Sequence, residues 1–275
     1  MEFVADLMTP NPVVVSPSTP IAACARMMAR LSLRHLPVVH PDGKVLGVLT
    51  DFELFSRGGL AGAGGEVWMA FDGVEATEVR ELPLHPMSAV RPGDTLAVAL
   101  RLMCEAKNEA LLVTEPPDVP VGILTEHDGV RLAAATLPPE LRVGDIASRA
   151  PLSVGLNDPI QGLLERLAER QIRHLLVLDG GEVVGVLSSR DVITANQPGR
   201  AQPRVRDILV RRDVVYVGAS TPLFEAAALM VRRHIGCLPV TSSHGAPTGI
   251  LTRTDLIRSC VAAMEEQALF GGAMT

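Results

Sequence analysis

The chain has 275 residues, of which 47% are hydrophobic and only 3% aromatic, and its formal net charge is −6. This composition predicts one large or two ordinary domains with an aliphatic core. The acidic balance argues against a general nucleic-acid binder. No apolar run approaches the roughly 20 residues of a membrane span. The four cysteines form no CxxC pair and the N-terminus lacks a signal-peptide pattern, so we expect reduced thiols in a cytoplasmic protein.

Four copies of one pattern follow each other along the chain. In each copy an apolar run predicts a strand, an amphipathic segment predicts a helix, and two apolar runs around a tight turn predict a hairpin leading into a second helix. A valine of the first run and a valine of the central strand keep a constant spacing, as Val15 and Val38, Val90 and Val113, Val154 and Val177, and Val217 and Val240. This constancy predicts an α/β (α+β) protein with four tandem β-α-β-β-α repeats of about 60 residues each.

The first helices of the repeats have recognisable start signals. Thr19, Asp158 and Thr221 each precede a proline, and Asp94-Thr95 occupies that place in the second copy. Residues of these types favour the N-cap and proline favours the first helical position. We therefore expect the helices to begin at these prolines.

The motif spacing also predicts the domain limits. We expect repeat 1 at residues 1–60, a glycine-rich insert and linker at 61–79, repeat 2 at 80–137, repeat 3 at 138–198, repeat 4 at 199–265 and a tail at 266–275. The density of glycine around residues 58–65 predicts a flexible loop, with Trp68 as a local anchor after it. The boundary between the first and the second pair of repeats is expected near Leu137-Pro138-Pro139.

One repeat is too small to bury its sheet face well alone, so we expect repeats 1 and 2 to form one pair and repeats 3 and 4 another. The last helix carries Leu256, Ile257, Val261 and Met264 at helical spacing. Such an apolar face predicts that the two pairs pack together within a chain or that two chains form a homodimer.

Each hairpin ends in the same short motif, a glycine followed by two aliphatic residues, a hydroxyl residue, two variable residues and an acid. The copies are Gly47–Glu53, Gly122–Asp128, Gly185–Asp191 and Gly249–Asp255. The hydroxyl residue and the acid stand where the second helix begins. A helix cap is therefore one interpretation of the motif, and contact with a ligand is another.

Together the repeat, the Leu-Pro-Val strand at Leu36–Val38 and Leu238–Val240, and the motif resemble the cystathionine-β-synthase (CBS) domain. The resemblance covers nearly the whole chain, as four tandem domains in two Bateman modules. It implies that the clefts between paired domains bind adenosine compounds such as AMP, ADP, ATP or S-adenosylmethionine. It implies ribose contacts from Asp191, Asp255, Asp128 and Glu53, and phosphate contacts from Ser188, Thr252, Thr125, Thr50, Arg173, Arg190, Arg253 and Arg34.

The four copies differ in charge. Repeat 2 has Glu109 and Glu126 where repeat 3 has Arg173 and Ser189, and repeat 1 replaces the motif aspartate with Glu53. Residues 1–139 carry 10 basic and 17 acidic side chains, whereas residues 140–275 carry 15 and 14. The second pair is therefore expected to bind an anionic ligand better.

The repeats occupy the chain and leave no catalytic or metal-binding motif, so we expect a stand-alone regulatory protein and not an enzyme. Ligand binding would change module packing, and an output protein would read that change. The alternative is a ligand-free scaffold or dimerisation module. His35 and His174 occupy equivalent positions, which favours a structural role for both.

Overall fold

The computed structural model describes residues 2–57, 59–61, 68–70, 77–195, 203–209 and 214–271. Its contacts divide the chain into two units, Met1–Thr125 and Glu126–Thr275.

The first unit contains repeat 1 and most of repeat 2. Repeat 1 comprises the 3-10 helix η1 (Val4–Asp6), β1 (Thr9–Pro10), α1 (Ile21–Leu31), the hairpin strands β2 (His35–Val39) and β3 (Val45–Thr50), and α2 (Asp51–Arg57). The short strands β4 (Gly59–Ala61) and β5 (Trp68–Ala70) follow. Repeat 2 adds η2 (Val79–Glu81), β6 (Ala89–Val90), α3 (Leu96–Glu105), β7 (Ala110–Glu115) and β8 (Val119–Thr125).

The second unit begins with α4 (Glu126–Thr136), which ends repeat 2 in sequence. Repeat 3 comprises α5 (Val143–Ile146), β9 (Ser148–Arg149), β10 (Ser153–Gly155), α6 (Leu163–Glu169), β11 (His174–Asp179), β12 (Glu182–Ser188) and α7 (Ser189–Ala195). Repeat 4 comprises α8 (Val205–Ile208), α9 (Leu223–Arg233), β13 (Cys237–Thr241), β14 (Pro247–Thr252) and α10 (Arg253–Gly271). In this unit α4 packs against α9 and α10.

The strand register in every repeat follows the spacing of the valines in the sequence. The valine of the first run lies parallel to the valine of the central strand, and the motif glycine lies opposite that second valine in the antiparallel last strand. The sets are Val15–Val38–Gly47, Val90–Val113–Gly122, Val154–Val177–Gly185 and Val217–Val240–Gly249. The predicted α/β class with repeated β-α-β-β-α units is confirmed.

Each repeat is completed by a segment from its pair partner. Strand β1, which precedes α1 of repeat 1, pairs with β8 of repeat 2, and β9 of repeat 3 pairs with β14 of repeat 4. In the opposite direction, Val48 bridges His85 and the N–H of Val205 donates to the Asp158 carbonyl at 2.9 Å. The exchange is reciprocal, which confirms the expected pairing of repeats 1 with 2 and 3 with 4.

The exchanged segments are anchored by one valine each. Val4, Val79, Val143 and Val205 begin η1, η2, α5 and α8, and all are 0% exposed. Complete burial of such a side chain stabilises the folded state by about 1.5–3 kcal/mol relative to exposure. The anchors therefore contribute substantially to holding each pair together.

The motif glycines lie where these segments cross the last strand of the partner repeat. A methyl group on Gly249 would lie 2.9 Å from the carbonyl oxygen of Ser148, and one on Gly185 would lie 2.5 Å from Cδ1 of Leu209. In the first pair, a methyl group on Gly47 would lie 2.8 Å from Cβ of Leu84, and one on Gly122 would lie 2.5 Å from Sδ of Met8. The glycine is repeated because a side chain there would displace the partner's segment.

The first helices begin later than the sequence predicted. Helices α1 and α9 start after Pro20 and Pro222, which are themselves the N-cap residues, with extended ψ angles of 136° and 137°. In repeat 3 the helix begins only after Gly162, which has a φ of 74°. Thr19 and Asp158 instead accept hydrogen bonds from the backbone N–H groups three residues earlier, and so close the turn before the helix.

Three further expectations differ from the structure. Within the predicted flexible insert, Gly59–Ala61 pairs antiparallel with Trp68–Ala70, because both stretches can form ladder hydrogen bonds; the side chain of Trp68 lies outside the described residues. The predicted tail is helical as far as Gly271, where α10 ends. The units divide before α4 and not near Leu137, while the predicted repeat limits stay predictions.

We predict that Gly249→Ala destabilises the protein by about 1–3 kcal/mol, because the added methyl group meets a backbone oxygen that has little freedom to move. Gly185→Ala should cost less, since its neighbour is the end of the Leu209 side chain. Gly218→Ala is the matched control, because nothing lies within 4 Å of a methyl group there. Urea unfolding of the three variants checks the order, and equal stabilities of all three would contradict it.

Candidate functional site between repeats 3 and 4

The hydroxyl and acidic residues of the motif meet in repeats 3 and 4. The backbone N–H and hydroxyl of Ser188 donate to Oδ2 of Asp191 at 2.7 and 2.6 Å. Thr252 donates in the same way to Oδ2 of Asp255 at 2.8 and 2.7 Å. Because α7 and α10 begin at the following residues, each motif forms the carboxylate half of a capping box at a helix start. In repeat 3 the N–H of Asp191 also donates to the Ser188 hydroxyl at 3.4 Å, which completes the box. The capping interpretation therefore holds for both repeats.

The second oxygen of each carboxylate is not used by the cap. Among the hydrogen bonds of the described residues, none reaches Oδ1 of Asp191 or Oδ1 of Asp255. Both side chains are half-buried. One oxygen of each can accept a further hydrogen bond while the other keeps the cap, so capping and ligand contact are compatible.

Repeat 1 uses both oxygens of its motif acid. The backbone N–H of Thr50 donates to Oε2 of Glu53 at 2.9 Å, and the Thr50 hydroxyl donates to the same oxygen. Nε2 of His85 lies 2.6 Å from Oε1 of Glu53, which is 5% exposed. The longer side chain of glutamate thus joins the cap to the segment of repeat 2 that lies between η2 and β6.

Repeat 2 places buried acids at the first turn of α4. Asp128 is buried, and its Oδ1 lies 4.0 Å from Nη1 of Arg131. Buried Glu126 accepts a hydrogen bond from Nη2 of Arg173 at 2.5 Å. Thr125 ends β8 in the first unit and is half-buried. The structure therefore pairs Glu126 of repeat 2 with Arg173 of repeat 3, which was predicted to contact phosphate.

The predicted basic residues lie beside the starts of the second helices. The carbonyl of Arg173 accepts the N–H of Ser189 at 2.9 Å, and the carbonyl of Arg34 accepts the N–H of Asp51 at 3.0 Å. Arg253 is the first residue of α10, and its Nη2 donates to the Ile235 carbonyl at 3.4 Å. Arg173, Arg190 and Arg253 are half-buried, whereas Arg34 is exposed.

The hairpins of repeats 3 and 4 share an apolar contact next to the motif. Leu176, Cys237 and Ile250 form one buried cluster, with Leu178, Val183 and Val186 packed against it. Burial raises the pKa of the Cys237 thiol to about 12, so it stays protonated and packs as an apolar group. A methyl group on Gly236 would lie 3.0 Å from Nε2 of His174. His174 thus packs across the two repeats, in keeping with the structural role expected for it.

Two histidines stack beside this region. The rings of His127 on α4 and His234 at the end of α9 lie 6.3 Å apart and are inclined by 16°. Burial lowers the pKa of His127, and the positive charge of Arg253 lowers it further. The remaining neighbours act in both directions, since Asp128 raises this pKa while Arg131 and His234 lower it.

Within the described ranges, no group of three His, Cys, Asp or Glu side chains is arranged to hold a metal ion. No helix in that part of the chain combines the length and the hydropathy needed to cross a membrane.

The fold and the motif define a protein of tandem β-α-β-β-α domains arranged in pairs. A family model described as the CBS domain matches residues 4–58, 143–197 and 205–262, which is more than half of the chain. The chain therefore belongs to the CBS domain family. Repeat 2 lies outside the matched ranges, yet it has the same strand register as the others.

Similar proteins are known from archaea. Protein MJ1225 of Methanocaldococcus jannaschii is 21% identical over 90% of this chain and 94% of its own length. Its crystal structure matches with a TM-score of 0.76, covering 93% of this chain and 99% of that one. A 33.4 kDa protein in a ribosomal RNA operon of Thermofilum pendens is 26% identical over 95% of both chains. Protein MJ1232 of Methanocaldococcus jannaschii is 26% identical over 44% of this chain, but the match spans only 40% of that relative.

The exchanged segments were missed at the level of sequence, although a signal for them exists. Each begins with valine, a variable residue, an acid and an aliphatic residue, as in Val143-Gly144-Asp145-Ile146. The acid accepts a hydrogen bond from the backbone N–H three residues earlier, at 2.8–3.1 Å in the four copies. This second repeated motif, read together with the glycines, points to the crossing of the two repeats.

We predict that the stability of the second unit falls as the pH decreases below about 6.5, the ordinary pKa of histidine. The folded pKa of His127 is lowered, so the unfolded chain takes up the proton first and is favoured at low pH. His127→Gln should reduce this pH dependence in urea unfolding, whereas the exposed His244→Gln should not. An unchanged pH profile in His127→Gln would contradict the prediction.

Proposed function

We propose that the protein is a regulatory sensor of adenosine compounds whose principal ligand site is the cleft between repeats 3 and 4. The observation that carries the proposal is the pair of half-buried carboxylates, Asp191 and Asp255, each with one oxygen outside its capping box. Each stands where the CBS motif has its ribose-contacting acid.

The proposed contacts follow from the chemistry of the ligand. Oδ1 of Asp191 or Asp255 accepts hydrogen bonds from the ribose hydroxyls, which are charge-assisted and therefore strong. Arg190 and Arg253 supply positive charge for phosphate, with Ser188 and Thr252 as hydroxyl partners. The aliphatic contact around Leu178, Val183 and Val186 offers an apolar surface for adenine.

The second pair is favoured over the first for two reasons. Both oxygens of Glu53 are used within the first pair, by Thr50 and by His85. Residues 1–139 also carry 10 basic against 17 acidic side chains, so their field opposes an anion. We therefore propose that binding at repeats 1 and 2 is weaker.

The role is proposed to be regulatory and not catalytic. The motif residues belong to the capping boxes of α7 and α10, so a ligand that contacts them acts directly on the starts of two helices. A change in the packing of these helices is the proposed signal, and an output protein is proposed to read it.

The capping boxes also support a second candidate, a ligand-free scaffold, because they explain the hydroxyl–acid motif without any ligand. The two functions differ in a simple measurement. A ligand that binds only the folded protein must raise its melting temperature. A sensor is stabilised by AMP, ATP or S-adenosylmethionine, whereas a scaffold is stabilised by none of them.

We predict that Asp191→Ala and Asp255→Ala weaken AMP and ATP binding in calorimetry by roughly ten- to a hundredfold, which corresponds to about 1.5–3 kcal/mol for a lost charge-assisted hydrogen bond. Asp128→Ala in repeat 2 should have a smaller effect. Melting temperatures of the free variants separate the loss of a cap from the loss of binding.

These binding measurements test both the assignment of the site and the choice between sensor and scaffold. If Asp128→Ala alone weakens binding and both second-pair variants bind normally, the site lies elsewhere. If no adenosine compound binds the unaltered protein, the scaffold replaces the sensor.

A further inference from the structure

The ion pair between Glu126 and Arg173 has no place in the CBS motif described above. Nη2 of Arg173 lies 2.5 Å from Oε1 of Glu126, and the side chains are 35% and 7% exposed. Glu126 is the first residue of α4 and comes from repeat 2, whereas Arg173 precedes the central strand of repeat 3. Within the second unit, therefore, an almost fully buried acid engages a more accessible arginine.

Arg173 is close to the proposed ligand site. Its carbonyl accepts the N–H of Ser189, and the adjacent His174 pairs in the sheet with Ser188. Arg173 thus stands beside the capping box that contains Asp191. A phosphate held near Ser188 would experience the charge of the guanidinium, and also the charge of whatever the guanidinium binds.

The neighbouring side chains extend this charge pattern. His127, next to Glu126, lies near enough to Arg253 for the arginine's positive charge to lower the histidine pKa. The first turn of α4 therefore approaches the arginines of both repeat 3 and repeat 4. Glu126 contributes a negative charge at the place where the second pair would otherwise present positive charge.

We infer that Glu126 is a built-in anion that competes with the phosphates of a ligand for Arg173, and so sets the second-pair site against highly charged nucleotides. The inference rests on the proposed function. If Arg173 left Glu126, the carboxylate would remain buried without its ionic partner, which is strongly unfavourable. While the pair persists, its two charges largely cancel toward the ligand, so each added phosphate gains little attraction.

This assignment gives Glu126 a role in ligand selectivity. Adenosine has no phosphate, so its binding does not depend on Glu126. AMP loses the attraction that an unpaired guanidinium at Arg173 would supply, and ATP loses more, because this attraction grows with the charge of the ligand. A glutamate in repeat 2 would thereby determine which adenosine compound repeats 3 and 4 select.

The experiment is calorimetry with adenosine, AMP and ATP on the full chain and on Glu126→Gln. Glutamine keeps the shape and removes the charge. We expect AMP to bind roughly tenfold tighter to the variant, ATP to gain more than AMP, and adenosine to be unchanged. Glu140→Gln, which removes an exposed acid from the same unit, is the matched control and should change none of the three affinities.

A double-mutant cycle assigns the effect to the ion pair. In the Arg173→Gln background, Glu126→Gln should no longer improve the binding of AMP or ATP. Melting temperatures confirm that each variant is folded, and Arg173→Gln tests the pair even if Glu126→Gln is destabilised.

The outcomes separate this inference from the proposed function. Equal gains for adenosine and ATP, no gain at all, or a gain that persists without Arg173 would each overturn the role of Glu126 while leaving the sensor intact. If neither the unaltered protein nor any variant binds an adenosine compound, both the sensor and the role of Glu126 are overturned.

Discussion

The architecture of each pair depends on the close approach of one repeat's leading segment to the other repeat's last strand. The approach is possible only because the strand carries glycine at the crossing, where a methyl group would lie 2.5–2.9 Å from the neighbouring atoms. The same glycine pairs with the central valine, so the crossing also fixes the register of the sheet. A buried valine then anchors the segment on the partner.

Much of this fold could be predicted from the sequence. The constant spacing of valines such as Val154 and Val177 predicted strand partners that are neighbours in the structure, because the number of residues between the two strands is the same in every repeat. The helix within that interval varies from 7 to 11 residues. The crossing segments could not be predicted from that spacing, since they belong to the other repeat. The starts of the first helices were also wrong, because Pro20 and Pro222 adopt extended ψ angles and serve as N-caps.

For the candidate site, the motif could be identified from the sequence, but the distant interaction partners of the site residues could not. The capping boxes of Ser188–Asp191 and Thr252–Asp255 follow from local spacing, as expected for residues three apart at a helix start. The partners of Arg173 and Glu53 are distant in sequence, at Glu126 and His85, and no periodicity links them. Charge counted by half of the chain could not reveal that Glu126 of repeat 2 forms an ion pair with Arg173 of repeat 3.

The reciprocal exchange of segments also bears on how such a chain can be cut or inherited. A single repeat taken alone would keep the last strand with its motif glycine but would lose the partner's segment that crosses it. Its own leading segment would expose the valine that is buried in the pair. The smallest piece with a complete covering is therefore two consecutive repeats, starting ahead of the valine that opens the first. A duplication that copied one repeat would separate its last strand from the segment that covers it, whereas one that copied two consecutive repeats would keep both crossings.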